Sequence, residues 1–260
     1  MDFPTLDLHS LMAALLVFTR ISLIIIMLPV LGQAMVPAPT KIGLAALLSL
    51  VIYPLVVRHV PALPASVIGL AALEIKEILI AGMLALLAQL IFAAAQMAGQ
   101  VISYQMGLAV ANIFDPITSS QGAVTGQFAS TVAMLVWLAV GAHHIFLFAI
   151  SNSFALLPIG ASWSFHGWQV LNHAAAGMFV TALRLVAPVL LLMLFLNVAL
   201  GLVSRAVPQI QVFFVSFPLL VGVGLLAFAL SLPAFAILVK DNFAGLGHST
   251  ALLLHAMAGR

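Results

Sequence analysis

The chain has 260 residues, of which 65% are hydrophobic and 5% are charged, and its formal net charge is +2 at pH 7. Soluble domains carry about 25% charged residues, so this composition excludes an ordinary soluble protein and predicts an integral membrane or membrane-assembly protein. The small net charge and the lack of a basic run give no support for nucleic acid as a partner. The absence of Cys excludes disulfides, thiol catalysis and Cys-based metal sites.

The N-terminal segment does not have the pattern of a cleaved signal peptide. Asp2 and Asp7 stand where positive charge is expected, and Arg20 interrupts the apolar run that follows. We therefore expect the first helix to remain in the mature protein.

Long apolar stretches, separated by Pro, Gly and charged residues, predict an all-α fold with about six long, broken helices that form helical hairpins. A helix needs about 20 residues to cross a bilayer. The predicted helices lie near 8–31, 41–57, 65–104, 123–150, 171–203 and 209–240, and a shorter, partly amphipathic tail follows from residue 241. The third is nearly twice a normal span, so it either kinks around Gly82 or extends beyond the bilayer. No soluble domain or linker is evident, which predicts a single domain over residues 1–260.

Two breaks in these apolar helices are the most informative feature of the sequence. Residues 105–116 read QMGLAVANIFDP, and residues 201–218 read GLVSRAVPQIQVFFVSFP. A helix that only crosses a bilayer does not need such breaks, whereas a helical assembly that encloses irregular backbone does.

The second break predicts a tight helical hairpin. Gly201 loosens the preceding helix and Pro208 cannot donate a backbone hydrogen bond. Arg205 lies near the last-turn carbonyls, where the helix dipole favours a cation. We expect Arg205 to cap the tip of the hairpin, and Phe213 to Phe217 to pack on a neighbouring subunit.

Two arginines, Arg20 and Arg184, lie inside apolar helices, where an ionisable group normally faces a partner or water. They are either ligands for a transported ion or substrate, or partners of Glu74, Glu77 or helix-end carbonyls that lock subunits together. The scarcity of acids favours the structural role.

Glu74 and Glu77 are three residues apart and share one face near the start of the third helix. A paired-carboxylate catalytic site would also need a substrate pocket, to which nothing else in the sequence points. Capping of the helix and pairing between subunits are therefore the favoured interpretations.

Asp115 is the one charged residue between Glu77 and Arg184. A lone membrane acid can relay protons, but its setting in DPITSSQG favours a turn or cap.

No pattern of residues points to an enzyme. His143 and His144 are neighbours on a helix and diverge by about 100°, so they do not easily share one metal. The sequence contains no HExxH, GxSxG, Walker A or GxGxxG motif. We expect no catalytic residue, no metal site and no cofactor.

A secondary transporter of a small solute stays open as an alternative. Broken helices and an intramembrane arginine fit such a protein. The lack of an inverted repeat and the small number of polar groups count against it.

The order and spacing of many residues resemble one known family. In the first half they are Arg20, Pro29, Gly32, Pro37, Lys41, Glu74, Gly82, Gly99-Gln100, Gln105-Met106-Gly107-Leu108 and Phe114-Asp115-Pro116. In the second half they are Leu157-Pro158-Ile159-Gly160, Pro188, Asn197, Ala199-Leu200-Gly201, Arg205, Pro208-Gln209, Phe213 and Phe217-Pro218-Leu219. The chain resembles, nearly end to end, the FliR family of flagellar export-gate proteins, which has a counterpart in type III injectisomes. Ser216 departs from the usual Gly but keeps a small side chain, and the closeness of the match favours the flagellar branch.

The resemblance implies a non-enzymatic subunit of a ring-like helical gate in the bacterial inner membrane, at the flagellar basal body. Its partners would be FliP, FliQ and FlhB, with membrane lipid around them and unfolded rod, hook and filament subunits passing through the pore. Residues 1–122 would be the FliP-like part, and residues 123–260 would form the C-terminal hairpins.

The resemblance also implies roles for individual residues. A loop at residues 107–121 is expected to plug the closed pore, with glycine hinges, a helix stop and an apolar seal. The residues of this expected plug are Met106, Gly107, Ile113, Phe114, Asp115, Pro116 and Gly122. The residues expected at subunit contacts or in the scaffold are Arg20, Glu74, Glu77, Arg184, Arg205, Pro208, Phe213, Phe217 and Pro218.

Overall fold

A computed structural model describes residues 8–28, 36–57, 60–61, 63–64, 66–108, 124–206 and 212–259, and the side chains of 212–215 are not described. These parts are mostly helical and contain no strand, which confirms the predicted all-α class. The helices are α1 Leu8–Met27, α2 Ala38–Val56, α3 Val67–Gln105, α4 Val124–Ala139, α5 Ala142–Leu156, α6 Gly167–Ala206, α7 Val212–Ala244 and α8 Leu246–Met257.

Helix starts follow local sequence signals. Pro37 precedes α2, which has a proline in its first turn where no intrahelical N–H bond is lost. The Ser66 hydroxyl accepts a 3.2 Å hydrogen bond from the backbone N–H of Gly69 and so caps the start of α3.

The third predicted segment is one continuous helix. Helix α3 has 39 residues, which corresponds to a length of about 58 Å at about 1.5 Å per residue. A hydrocarbon core is about 30 Å thick, so α3 exceeds one perpendicular crossing.

The fourth predicted segment differs from the structure. A single helix over 123–150 is wrong, because α4 and α5 are separate helices bent by 71° at Val140–Gly141. Gly141 adopts a left-handed conformation with φ 69°, which ends the regular helical path. Glycine takes this conformation without the steric cost that other residues meet.

The break predicted over residues 201–218 is narrower in the structure. Helix α6 continues through Gly201 to Ala206, and α7 already contains Pro218. The predicted hairpin tip, including Pro208, lies outside the described residues.

The described residues divide into two compact units. The first draws on Met1–Leu90, Gly141–Ala175 and Gly245–Arg260, and in it α1 packs on α2, α2 on α5, and α5 on α8. The second draws on Ile91–Val140 and Ala176–Ala244, and in it α4 packs on α7.

The core of the second unit contains a cluster of three aromatic rings. Phe92, Trp137 and Phe243 are all buried. Their ring centroids are 5.1 to 5.6 Å apart in tilted or edge-on pairs, a geometry that aromatic quadrupoles favour.

Polar side chains within the apolar helices bond to their own helix. The Ser49 hydroxyl donates to the carbonyl of Ala45 at 2.6 Å. The Asn197 and Asn242 amides donate in the same way, to the carbonyl four residues earlier. Such local bonds satisfy the polar groups within one helix.

By length and composition, five helical segments of the described chain suit a membrane span, or six if the bent α4–α5 pair counts as one. In the most apolar 18-residue stretch of α3, 50% of the residues are buried, whereas in that of α6 17% are buried. Helix α6 therefore presents most of its apolar surface outward.

Candidate functional site

The C-terminal end of α3 brings three of the predicted site residues together. Met106 is fully buried, and a β-carbon at Gly224 of α7 would lie 2.6 Å from its Cγ. Gly107 follows with φ 76°, and its β-carbon would lie 3.7 Å from the ring of Phe217. The helix thus ends in a left-handed glycine held against α7.

The start of α4 is fixed to α3 close to the same place. The Thr125 hydroxyl donates a 2.7 Å hydrogen bond to the carbonyl of Gly99. A β-carbon on Gly99 would lie 2.7 Å from the Cα of Gly126, so the two backbones touch. The helices on either side of residues 109–123 are therefore anchored to each other.

Five of the residues expected in the pore plug lie in that interval, outside the described residues. They are Ile113, Phe114, Asp115, Pro116 and Gly122. Their predicted role stays a prediction.

A buried ion pair joins three helices of the first unit. Arg20 of α1 and Glu77 of α3 are fully buried, and the Arg20 Nε donates to the Glu77 Oε2. The guanidinium also donates to the carbonyls of Ser153 at 3.1 Å and Leu157 at 3.0 Å, at the end of α5. The ring of Phe154 lies 4.2 Å from the Arg20 Cζ.

This arrangement uses nearly all the bonding capacity of the guanidinium, which also contacts the Ser153 hydroxyl at 3.3 Å. The other Glu77 oxygen has no hydrogen-bond partner among the described residues. These contacts hold α1, α3 and the end of α5 to one another within the first unit.

Two charged side chains near Glu77, those of Glu74 and Lys76, each make one hydrogen bond. The Thr19 hydroxyl donates to Glu74 at 3.4 Å, and the Lys76 ammonium donates to the carbonyl of Ala161. The capping interpretation of the two acids is wrong, because α3 begins at Val67 and has no acid in its first turn.

The remaining predicted residues occupy different settings. Arg184 and Arg205 are exposed on α6, Arg205 in its last turn. Pro218 is exposed within α7, and the side chain of Phe213 is not among those described.

The rings of His143 and His144 lie close together in the first turn after the left-handed Gly141. Their centroids are 4.0 Å apart and their planes are tilted by 40°. Across the described residues no group of three His, Cys, Asp or Glu side chains could hold a metal ion.

Residues 11–246 match the sequence model of the family described as bacterial export proteins, family 1. The chain belongs to this family. Curated relatives named flagellar biosynthetic protein FliR include those of Bacillus subtilis, 34% identical over 89% of this chain and 90% of the relative, and Pectobacterium carotovorum, 36% identical over 83% and 82%. The Escherichia coli relative is 32% identical over 84% of this chain and 83% of its own length.

Several contacts of the site did not follow from the sequence. The glycines at 99, 126 and 224 are visible as small residues in apolar helices, which is a signal of close helix packing. Their pairing depends on the tertiary arrangement. The Ser153 and Leu157 carbonyls have no sequence signal at all, because every residue has a carbonyl.

Proposed function

We propose that the chain is a core subunit of the flagellar type III protein export gate, which forms with FliP and FliQ the pore through which unfolded flagellar subunits are secreted. The match of residues 11–246 to the bacterial export family carries this proposal. Relatives named FliR align over 82 to 92% of their length at 32 to 36% identity. The bacterial inner membrane at the flagellar basal body is the corresponding location, and FlhB is a further partner.

The outward-facing apolar side chains of α6 need an apolar cover, as those of a core subunit of a membrane assembly do. Helix α6 alone exposes Phe195 by 72%, Leu202 by 66% and Leu183 by 59%. Lipid covers such a surface in a simple membrane protein, and neighbouring helices cover it in a gate.

The end of α3 supports a role for residues 107–121 in sealing the pore. A segment that opens and closes needs fixed supports and a joint that tolerates unusual backbone angles. Met106 against Gly224 and Gly99 against Gly126 supply the supports. Gly107, with its positive φ, supplies the joint.

Co-purification tests the proposed function directly. The tagged chain is produced in its own host with the FliP and FliQ proteins of that host, extracted in a mild detergent and sized. We expect one large complex that contains all three proteins. Recovery of the chain alone or as a small oligomer would contradict the proposal and favour the secondary transporter.

Complementation supplies an independent readout. A strain that lacks this chain should fail to secrete hook and filament subunits into the medium, and a plasmid copy should restore secretion. Normal secretion in the deletion strain would also contradict the proposal.

A further inference from the structure

One face of α6 carries an exposed stripe of eight residues that are three or four positions apart. They are Gly177, Val180, Arg184, Pro188, Leu191, Phe195, Val198 and Leu202. This spacing keeps them on one line along an α-helix. The stripe covers 25 residue steps, or about 38 Å at about 1.5 Å per residue.

All of these residues except Arg184 are apolar, and their side chains point away from the described parts of the chain. Val180 is 48% exposed, Leu191 54% and Val198 56%. A β-carbon at Gly177 would meet nothing within 4 Å. A helix could therefore approach this end of the stripe closely, as small residues allow between membrane helices.

Arg184 lies at the centre of the apolar part of this helix. From residue 174 to residue 196 it is the one charged residue. It is 10 residues from one end of this stretch and 12 from the other, or about 15 and 18 Å along the axis. A hydrocarbon core is about 30 Å thick, so a guanidinium here is about as far from both headgroup layers as a span allows.

The Arg184 side chain is exposed, and it has no hydrogen-bond or ion-pair partner in the described part of the chain. Its backbone carbonyl also lacks its usual helical donor. Pro188 lies inside α6, four residues later, and its nitrogen has no hydrogen to donate to the carbonyl of Arg184. One point of the stripe therefore holds both a cation that has no partner among the described residues and a carbonyl without its helical donor, and each is costly to leave in an apolar medium.

We propose that this stripe packs against an apolar membrane helix of another polypeptide, which places a carboxylate opposite Arg184. This inference rests on the proposed function, since it takes that helix to belong to another protein of the gate. Charge complementarity identifies the kind of partner, because a buried guanidinium is matched best by a carboxylate with two acceptor oxygens.

The stripe of a second copy of this chain is not a suitable partner for this stripe. The stripe holds one cation and no acid, so two such faces would oppose apolar residues or like charges. Because the same face of a second copy offers no acid, we assign the carboxylate to a different protein.

The first test measures by native gel how much intact complex forms with each variant, relative to the unmodified chain. Arg184→Glu should lower the amount of complex about tenfold or more, because the substitution sets two acids against each other in a buried site. Arg184→Ala should show a smaller loss, and Arg184→Lys should retain most of the complex. Equal amounts for all three variants would overturn the proposal.

Two phenylalanines of α6 give a matched control. Phe195 lies on the stripe and is 72% exposed, whereas Phe179 is 51% exposed. Phe179 lies about 140° around the helix from Arg184, at about 100° per residue. Phe195→Ala should lower the yield of complex several-fold, and Phe179→Ala should leave it within about twofold.

The second test identifies what covers the stripe, in cells that make the complete set of gate proteins. A photo-crosslinking residue at Leu191 should yield a protein adduct whose partner segment is an apolar helix with an Asp or Glu. The same residue at Phe179 should not give that adduct. Adducts with lipid alone, with a second copy of this chain or with a segment lacking an acid would each overturn the proposal.

These tests are separable from that of the proposed function. If the unmodified chain yields no large complex with FliP and FliQ, the proposed function fails. If the complex forms and its amount does not change with substitutions at Arg184 and Phe195, the stripe proposal alone fails.

Discussion

Gly99 of α3 and Gly126 of α4 bring two helix backbones into direct contact. A β-carbon on Gly99 would lie 2.7 Å from the Cα of Gly126 and 2.9 Å from the Cβ of Ala129. Neither obstacle is the end of a flexible side chain, so the space cannot be made by a rotamer change. The contact requires glycine, and it holds the two helices that flank residues 109–123.

Gly99→Ala should therefore destabilise the protein and reduce the amount of assembled complex. The added methyl forces α3 and α4 apart, and overpacking of this kind costs about 1–3 kcal/mol. Thermal unfolding in detergent, followed by the loss of the monodisperse peak, measures the effect.

Gly82→Ala is the matched control on the same helix. A β-carbon at Gly82 meets nothing within 4 Å, and alanine favours a helix over glycine by about 0.5–1 kcal/mol. The control should be neutral or slightly stabilised. Equal destabilisation by both substitutions would show that the backbone contact does not explain the requirement.

Removing one partner of the buried ion pair should be strongly destabilising. Arg20→Met strands the Glu77 carboxylate, and Glu77→Met strands the guanidinium. Each should cost about 3–5 kcal/mol, because an uncompensated charge remains buried. Thermal stability in detergent and the yield of membrane-inserted chain are the measurements.

The double variant separates the charge from the packing. Arg20→Met with Glu77→Met leaves no stranded charge, so it should recover much of the stability that either single variant loses. Lys240→Met, at an exposed position of α7, should have little effect. A double variant as unstable as the sum of its parts would contradict this account.

The left-handed backbone at Gly107 predicts a graded series. With φ at 76°, a residue other than glycine pays about 1–2 kcal/mol, and asparagine pays least because its side chain can bond locally. We expect Gly107→Val to reduce secretion more than Gly107→Ala, and Gly107→Asn least of all. The same series at Gly43, which lies in α2 with open space around it, should not follow that order.

Deleting residues 110–119 tests the proposed seal. The helices on either side remain anchored through Gly99 and Gly126, so the complex should still assemble. The membrane should leak small ions or solutes, measured by dye uptake or loss of membrane potential. A strain in which a Gly/Ser segment of the same length replaces these residues should leak as well, because that segment keeps the length but lacks the apolar side chains. Unchanged permeability in both strains would count decisively against a seal.

The helices could be located from the sequence because apolar runs and prolines determine them. Five of the six predicted segments correspond to single helices. The α4–α5 bend was missed because Gly141 lies in an apolar run with no proline beside it, and a glycine there is compatible with either a straight or a broken helix.

The site was less accessible to sequence reasoning. The scarcity of acids made Glu77 a reasonable partner for Arg20. Helix-end carbonyls were also expected as partners, but the end of α5 could not be singled out, because every helix ends in backbone carbonyls. The exposed setting of Arg184 depends on how α6 is rotated, which the apolar sequence around it leaves open.

The sequence separation of the Arg20 contacts has a consequence for biosynthesis. Its partners follow it by 57, 133 and 137 residues, whereas Ser49, Asn197 and Asn242 bond within their own helices as soon as these form. At about 5–20 residues per second, Leu157 is added roughly 7–27 s after Arg20. At the same rate Glu77 is added after roughly 3–11 s, so the charge of Arg20 can be paired with α3 before α5 supplies its carbonyls. An α1 that entered lipid before α3 was made would carry an unpaired guanidinium, which is costly there.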